Sequence, residues 1–503
     1  MRLAEDPASN EQRRIPQASA PTDDQIRFCA GVLDDSGVAG RIEAQFTAST
    51  GRPRTLSVRA LLVALFVLAI DDRPLHLSGA KRLLVCQLSV PARRPLGLEP
   101  CAEEETATAS LATHRRARSL SHEVCAVMDP SGLPKSRRIR IEAFDALVNE
   151  MSDEERRRRS EALEEAVADL LVASVHVACA DELARFGGSV GLDATPVALW
   201  SRGRSDKTGL CAADPDGAWY VREGDHREAN GPSGKPLRKL LWALEATIAT
   251  LGRGPGAVPA HPNLAVGLAM ARPDPDPAGT GVRVLARVRA GDFAPGYLGA
   301  DRGYTQGLPT RFHLPVRSLG YRLVMDYEAE DLGGQATSQG ASLVDGTFYC
   351  PARGDHPEPC CPLRPEVAGR HVGKVPVLSP PETPPKICTQ SAVTIAPDVG
   401  ARFRQDLAYG SEAWASTDAS YRNTIEGLNG YVKDPAHEAL AQPGRRRVRG
   451  IAAQSLFVTF LLMAANVRKV ATFRQMVEDH SQHRVAERAR RRRTSLADRH
   501  SSA

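Results

Sequence analysis

The spacing of apolar residues changes near residue 187, and this change divides the chain into two regions. Before it, residues 26–180 carry apolar positions three and four apart, which is typical of helices. The stretch LSVRALLVALFVLAI follows the polar GRPRT and predicts a buried helix. The stretch EERRRRSEALEEAVADLLVASVHVACADEL predicts a long amphipathic helix. We therefore expect an all-helical N-terminal domain.

After residue 187 the pattern predicts short strands. The candidates are SVGLDATPVALW, WYVREG, LLWALEATIATL, PNLAVGLAMARP, GYLGADRGYT and YRLVMDYE. VRVLARVRAG is a helix candidate between strands, and the pattern is helical again after Ser416. Strands, a helix, further strands and closing helices predict an α/β fold, with a mixed sheet flanked by helices.

Four boundaries follow from composition. Residues 1–25 are polar and predicted to be disordered, and residues 480–503 form a basic tail. The α/β domain is expected over 187–475. Within it, residues 328–400 are rich in Gly and Pro and too long for an ordinary connection, so they form either an inserted subdomain or a partly disordered excursion.

The apolar runs are short. Ala60–Ile70 and the stretch around Leu456–Ala465 both fall below the ~20 apolar residues that a membrane span needs. The first residues lack an apolar signal core. We therefore expect no membrane partner and a cytoplasmic location.

The charge of the chain is informative in its distribution. The 503 residues hold 65 basic and 60 acidic side chains, a net charge of +5, which alone does not indicate nucleic acid. Arginines cluster three times: Arg115, Arg116, Arg118, Arg137, Arg138 and Arg140; Arg445, Arg446, Arg447 and Arg449; and Arg484, Arg488 and Arg490–Arg493. One such run is usually a solvated surface, but three runs around acidic candidates favour a polyanionic partner. The last run is either a non-specific DNA contact or a disordered end.

The ten cysteines predict reduced thiols, because no signal peptide is indicated. Four of them, Cys350, Cys360, Cys361 and Cys388, lie near His356 and His371. They could hold zinc, but they lack the C-x2-C pair usual in structural zinc sites. Free thiols in a loop-rich insertion are the favoured interpretation.

Three acidic residues stand out by position. Asp193 closes the apolar SVGL, Asp301 closes YLGA, and Glu426 lies in the helical YRNTIEGLNGYVKD. Arg422 lies four residues before Glu426 and Lys433 seven after it, so the three side chains share nearly one helix face. An ordinary Arg422–Glu426 surface pair is the structural alternative.

The same helix carries Gly427 and Gly430, which each cost about 1 kcal/mol relative to Ala. These glycines argue against a purely structural helix. Carboxylates are the hard ligands that Mg²⁺ prefers, and two divalent ions can promote phosphodiester cleavage or transfer. Adjacent basic side chains can hold phosphates.

These motifs resemble the transposases of bacterial insertion sequences that carry an Asp-Asp-Glu triad. The resemblance rests on GLDATPV, on LGADRGY and on R-x3-E-x6-K, formed by Arg422, Glu426 and Lys433. The family usually has a Tyr three positions before the Arg, whereas here Tyr421 directly precedes it. The later SLFVTFLLMAANVRK is similar to the family's closing helix. The resemblance covers residues 185–475, and the first 180 residues are only loosely similar.

The resemblance implies a ribonuclease-H-like core in which Asp193, Asp301 and Glu426 hold two Mg²⁺ or Mn²⁺ ions and catalyse phosphoryl transfer on DNA. It also implies an N-terminal domain that recognises transposon ends, and a homodimer or larger assembly on terminal inverted repeats and target DNA in the bacterial nucleoid. Two alternatives stay open: a catalytically decayed DNA-binding relative, and a metal-dependent nuclease without strand transfer.

Overall fold

The computed structural model describes most of the chain. The described residues are 20–46, 55–98, 107–131, 138–201, 203, 208–212, 214, 216–222, 239–253, 259–273, 276–351, 359–360, 363, 375–376 and 382–500. Most of the segment predicted to be disordered, residues 1–19, lies outside these ranges.

Fourteen α-helices occur in the described ranges. They are α1 (Asp23–Ser36), α2 (Val38–Ala44), α3 (Val58–Ile70), α4 (Leu77–Arg82), α5 (Val90–Arg93), α6 (Ala107–Ala126), α7 (Ile141–Glu150), α8 (Asp153–Leu183), α9 (Pro277–Ala290), α10 (Arg302–Thr305), α11 (His313–Ser318), α12 (Lys386–Thr389), α13 (Glu412–Lys433) and α14 (Ile451–His500).

The strands in the same ranges number thirteen. They are β1 (Arg138–Arg140), β2 (Val190–Ala198), β3 (Leu210–Ala212), β4 (Ala218–Arg222), β5 (Lys239–Leu251), β6 (Ala265–Ala271), β7 (Tyr297–Ala300), β8 (Arg322–Val324), β9 (Gly334–Ser338), β10 (Ala341–Val344), β11 (Thr347–Tyr349), β12 (Pro359–Cys360) and β13 (Val375–Pro376).

The two long helices predicted for the N-terminal region are confirmed. Ser57 caps α3 by accepting a hydrogen bond from Ala60 N, and nearly every residue of α3 is buried, as its continuous apolar sequence requires. Ser152 caps α8, whose buried residues follow the three- and four-residue spacing. The region is not wholly helical, because the short strand β1 pairs antiparallel with β3.

The main sheet is mixed and has the order β4-β5-β2-β7-β8. The long strand β5 runs antiparallel to β2 on one side, and to β4 and then β6 on the other. Strands β2, β7 and β8 are parallel; β7 and β8 end at neighbouring positions, whereas β2 continues beyond its pairing with β7 to Ala198, alongside β5. The predicted α/β architecture, a mixed sheet flanked by helices, is confirmed at this level.

Helices cover both faces of the sheet. One core joins α1, α3, α8, the first half of α14 and one sheet face. The other core joins α9, α11 and the opposite face, and Val470 of α14 also enters it. The N-terminal helices therefore pack directly on the α/β region through α14.

The first part of α14, Ile451–Gln482, is long and apolar enough to cross a membrane by length and composition. Most of this part is buried against the N-terminal helices and the sheet, as in a core helix, so it is a weak indication of a membrane partner.

The predicted insertion contains a small subdomain in its described part. Strands β9, β10 and β11 form an antiparallel sheet. The chain segments before and after the insertion are hydrogen-bonded to each other. The Gln405 side chain, after the insertion, accepts from Met325 N at 2.9 Å and donates to Met325 O at 2.9 Å, before it.

Candidate functional site

Asp193 and Asp301 occupy neighbouring positions where the parallel pairing of β2 with β7 ends. Leu192 of β2 pairs with Ala300 of β7, so the aspartates that follow are adjacent across strands about 4.8 Å apart. Asp193 is half-buried within β2, and Asp301 is exposed and caps α10 by accepting from Arg302 N at 2.7 Å. The two aspartates are brought together, but only Asp301 follows the end of its strand; the expectation that Asp193 closes a strand is wrong, because β2 continues to Ala198.

The electrostatics of Asp193 reflect this proximity. Burial raises the pKa of Asp193, and the negative charge of Asp301 raises it further. Lys433 and a hydrogen bond from Asn429 act in the opposite direction. A cation between the two carboxylates would relieve the repulsion that the fold imposes on them.

Helix α13 lies directly on strands β2 and β7, at positions where both strands carry glycine. A Cβ atom on Gly191 would lie 2.5 Å from Ile425 Cγ1, and one on Gly299 would lie 2.8 Å from Tyr421 Cβ. Tyr421 is 3% exposed and therefore packs the helix onto the sheet. In the transposases that the sequence resembles, the tyrosine lies three positions before the Arg. Tyr421 directly precedes Arg422 instead, and this position is one that packs on the sheet.

The same glycines fix which way the aspartates point. Gly191 and Asp193 are two residues apart on β2, and Gly299 and Asp301 are two apart along the chain of β7. Side chains two apart on a strand project from the same face. Both aspartates therefore face the side of the sheet that α13 covers. The repeated G-x-D spacing is a sequence signal for this arrangement.

Two hydrogen bonds tie α13 to this part of the sheet on either side of Glu426. Asn429 Nδ2 donates to Asp193 Oδ2 at 2.7 Å, next to β2. Arg422 Nη2 donates to Asp326 Oδ2 at 3.3 Å, beyond the end of β8. Glu426 lies between these two attachment points along α13, next to Ile425, which packs against Gly191 of β2. The Glu426 side chain is exposed.

Residues 422, 426, 429 and 433 follow one another at offsets of four, three and four, which forms a continuous stripe on a helix. Arg422 and Glu426 of this stripe are exposed, Lys433 is half-buried and Asn429 is buried, so the stripe runs along the margin of the face that packs on the sheet. Asn429 completes this stripe, although sequence reasoning did not single it out.

Asp326 is a third aspartate of this region that sequence reasoning missed. It accepts hydrogen bonds from Arg302 Nη2 at 2.6 Å, from Arg422 Nη2 at 3.3 Å and from the Tyr409 hydroxyl at 3.1 Å. Burial acts to raise the pKa of Asp326, but the hydrogen bonds from Arg302 and Tyr409 outweigh it, and the pKa lies below its ordinary value. The run YRLVMD has the same strand-then-Asp form as the other two segments.

The donor set matches the ions expected from the sequence. Asp193, Asp301 and Glu426 offer hard oxygen ligands suited to Mg²⁺ or Mn²⁺. Within the described ranges, no three His, Cys, Asp or Glu side chains stand close enough together to hold a metal ion. The aspartate pair is in place, and the Glu426 carboxylate would have to turn toward it.

The suggested zinc ligands are only partly within the described chain. Cys350 is exposed and Cys388 is buried, and both are free thiols. Cys361, His356, His371 and the side chain of Cys360 lie outside the described residues.

The first arginine cluster faces solvent where it is described. Arg115, Arg116 and Arg118 are exposed on α6, and Arg140 is exposed at the end of β1. Arg137, the side chain of Arg138 and the side chains of the third cluster lie outside the described residues. The backbone of the third cluster continues α14 to His500.

The second arginine cluster is divided: Arg445 and Arg446 turn inward, in contrast to the expected surface run, whereas Arg447 is exposed, with its guanidinium 4.6 Å from the centre of the Trp200 ring. Arg446 is 0% exposed and donates to the Leu440 carbonyl at 2.9 Å. Arg445 pairs with Asp72 near the end of α3. These two guanidinium groups stabilise the loop before α14 and are not placed to bind a polyanion.

A second group of carboxylates lies away from the strand ends. Asp129 and Asp214 are buried, and Asp216 Oδ2 is a buried atom without a hydrogen-bond partner within the described chain. Burial, then the charge of Asp216, raises the pKa of Asp129 to about 6. Asp214 accepts from Gly450 N at 2.6 Å, at the start of α14. This group joins α6, the loop before β4 and α14.

No family model matches the chain, and neither a curated protein nor a solved structure gives a match.

Proposed function

We propose that this chain is a transposase with an Asp-Asp-Glu catalytic site. The observation that carries the proposal is the parallel register of Leu192 and Ala300, which sets Asp193 beside Asp301 beneath the helix that bears Glu426. Two acids that are 108 residues apart in sequence are thereby adjacent, and the proposal adds Glu426 from the helix that packs on the same two strands.

We infer a ribonuclease-H-like core for residues 187–475. Support comes from the mixed sheet with helices on both faces and from the location of the two aspartates where the parallel pairing of β2 with β7 ends. Ligand sites in open α/β sheets lie at the carboxyl ends of the strands.

The three acids would hold two Mg²⁺ or Mn²⁺ ions, which activate the attacking oxygen and stabilise the leaving oxygen of a phosphodiester. Asn429 holds one oxygen of Asp193 and so fixes the orientation of that carboxylate. Arg422 is 54% exposed and retains donors for a DNA phosphate beyond those it directs at Asp326 and Asp418. Lys433, at the other end of the stripe, supplies positive charge on the same face.

The partner is DNA, as terminal inverted repeats and as target, and the assembly is a homodimer or larger on that DNA. The N-terminal helices would recognise transposon ends, with Arg115, Arg116, Arg118, Arg137, Arg138 and Arg140 against the phosphate backbone. The location is the bacterial nucleoid.

One observation favours a second candidate, a catalytically decayed DNA-binding relative. Glu426 is exposed and, within the described part of the chain, does not complete a three-acid group with Asp193 and Asp301. A nuclease without strand transfer would use the same site as the transposase and differ only in its products.

The deciding experiment is cleavage of a duplex containing the transposon end, with Mg²⁺ and with Mn²⁺. Glu426→Gln is nearly isosteric but removes a hard anionic ligand, so cleavage should be abolished with DNA binding nearly intact. Glu412→Gln is the matched control, because Glu412 is an exposed glutamate in the first turn of the same helix.

Wild-type cleavage by the Glu426→Gln variant would contradict the proposed triad. Inactivity of the wild-type chain together with tight DNA binding would favour the decayed relative. Cleaved ends that never join to target DNA would favour the nuclease.

A further inference from the structure

A cleft of about 220 Å³ lies beside the edge strand β8, between the main sheet and the inserted subdomain. Its walls come from β8, from β11 and from the segment at Arg404–Asp406 that returns from the insertion. Arg322, at the start of β8, and Asp326, beyond its end, are separated by at most about 13 Å of extended chain. The cleft is therefore near the acidic site but separate from it.

The cleft contains more positive than negative charge. Three arginines, Arg317, Arg322 and Arg404, line it together with one carboxylate, Asp406. Asp406 Oδ2 lies 4.0 Å from Arg322 Nε, and both side chains are about half exposed, so this pair is weak. Burial, followed by the charge of Arg404, lowers the pKa of Arg317 to about 10, which shows that the arginines repel one another.

The three arginines of the cleft make different contacts with the protein. Arg317 is anchored, because it donates to the carbonyls of Ala401 and Arg404 at 2.6 Å each. The Arg322 guanidinium lies 4.0 Å from the centre of the Tyr297 ring, and that of Arg404 lies 5.6 Å from the Phe348 ring. Stacking occupies the face of a guanidinium and leaves its N–H edge for hydrogen bonds. Arg404 Nη1 donates to the Ala396 carbonyl at 3.3 Å, so an anion would use its remaining donors.

Two hydroxyl groups of the same cleft lack partners within the described chain. They belong to Tyr321 and Thr347, whose oxygen atoms are buried. Because water does not reach either oxygen, an anion in the cleft would meet the donors of the arginines and not these hydroxyl groups.

We propose that this cleft binds a phosphate group. Stacked arginines present their donor edges to the tetrahedral oxygens, and Asp406 is the counter-ion that the phosphate displaces from Arg322. The phosphate can come from a nucleic-acid backbone or from free phosphate. The site uses none of the three acids of the proposed triad, so it does not depend on the proposed function.

The test uses the full chain and inorganic phosphate, followed by phosphorus NMR line broadening. Arg322→Gln and Arg404→Gln should each weaken phosphate binding about tenfold, as expected for one charge-assisted hydrogen bond. Asp406→Asn should strengthen it, because the variant removes the competing carboxylate. Arg283→Gln is the control, since Arg283 is also about half exposed and pairs with Glu164 on α8.

The arginine variants should bind phosphate more weakly and Asp406→Asn more tightly, and these opposite changes keep the test independent of folding. A damaged fold can weaken binding but cannot produce the gain expected of Asp406→Asn. The proposal is overturned if inorganic phosphate does not bind, or if Arg322→Gln and Arg283→Gln behave alike.

Labelled DNA then distinguishes the two sources. A parallel decrease of DNA affinity in the Arg322→Gln and Arg404→Gln variants assigns the cleft to the nucleic-acid backbone. Unchanged DNA affinity, with phosphate binding abolished, assigns it to a free phosphate.

Discussion

The chain brings aspartates together in two places, and the two groups differ in what surrounds them. Where the pairing of β2 with β7 ends, Asp193 and Asp301 border solvent and face a helix stripe with two cationic residues. In the second group, Asp129 and Asp214 are buried among α6, the β4 loop and α14. The first group can accept a cation and a substrate from solvent, whereas the second can respond only by binding protons.

The difference shows that clustering alone does not identify a catalytic carboxylate. The pKa of Asp193 is raised in the first group, as are those of Asp129 and Asp214 in the second, and burial is the largest cause for all three carboxyls. The two groups differ in the access of solvent to their carboxylates. They differ also in the presence of Lys433 and Arg422 on the helix beside the first group. Perturbed carboxylates also occur in structural networks, so access must be weighed with the pKa.

The largest effect is expected when one aspartate from each group is neutralised, which tests whether only the first group is catalytic. Asp193→Asn should reduce end cleavage about a thousandfold or more, because it removes a proposed metal ligand worth several kcal/mol. Asp214→Asn should leave the rate per folded molecule unchanged. The measurement is the cleavage rate of each purified variant, divided by its folded fraction from circular dichroism. Equal reductions in the two variants would remove the distinction between the groups.

The buried group should make the free energy of unfolding depend on pH. The pKa of Asp129 is raised to about 6 from 3.8, so the unfolded chain loses this proton first as pH rises. The free energy of unfolding should therefore fall between about pH 4 and 6, by up to about 3 kcal/mol, and level off above about pH 6.

Asp129→Asn removes this titration. Urea denaturation should find the variant more stable than the wild type at about pH 7 and similar to it at about pH 4. A variant less stable than the wild type at neutral pH would show that Asp129 is held by favourable interactions instead.

A smaller effect is expected from the tie between α13 and β8. Asp326→Ala releases Arg302 and Arg422 and should lower cleavage about tenfold, with little change in the melting temperature, because both arginines are partly exposed. Asp326→Asn, which keeps an acceptor oxygen, should recover part of the activity. Asp331→Ala is the control, because Asp331 pairs with Arg402 and not with α13. A reduction as large as that of Asp193→Asn would instead make Asp326 a metal ligand.

The smallest effect concerns the exposed arginines of α6. Replacing Arg115, Arg116 and Arg118 with Gln should weaken binding to all DNA sequences alike. It should also reduce the slope of log affinity against log salt by up to about 0.9 for each phosphate that is no longer neutralised. Arg27→Gln is the control, because Arg27 is exposed but pairs with Asp24. An affinity decrease for one sequence only would assign these arginines to the bases.

Much of the fold was predictable because local patterns dominate it. The strands that carry Asp193 and precede Asp301, and the helices α3, α8, α9 and α13, follow from apolar spacing, although the continuation of β2 to Ala198 does not. The stripe of Arg422, Glu426 and Lys433 was predictable for the same reason, since it lies within one helix.

The rest depends on contacts between distant segments. Asp326 matters through Arg302 and Arg422, and Asn429 through Asp193, and no local spacing reveals these partners. Arg446 has the sequence context of a surface residue, yet the loop before α14 folds inward and buries it.

The position of α14 has a consequence for how the chain is made. This helix follows every other element in sequence, yet it contributes to both hydrophobic cores. A nascent chain emerging from the ribosome must therefore carry α1, α3 and α8 without their main packing partner until synthesis has passed residue 470. During that interval the apolar faces of the N-terminal helices lack their partner, so the risk of misassembly for this chain ends only when its last helix has been made.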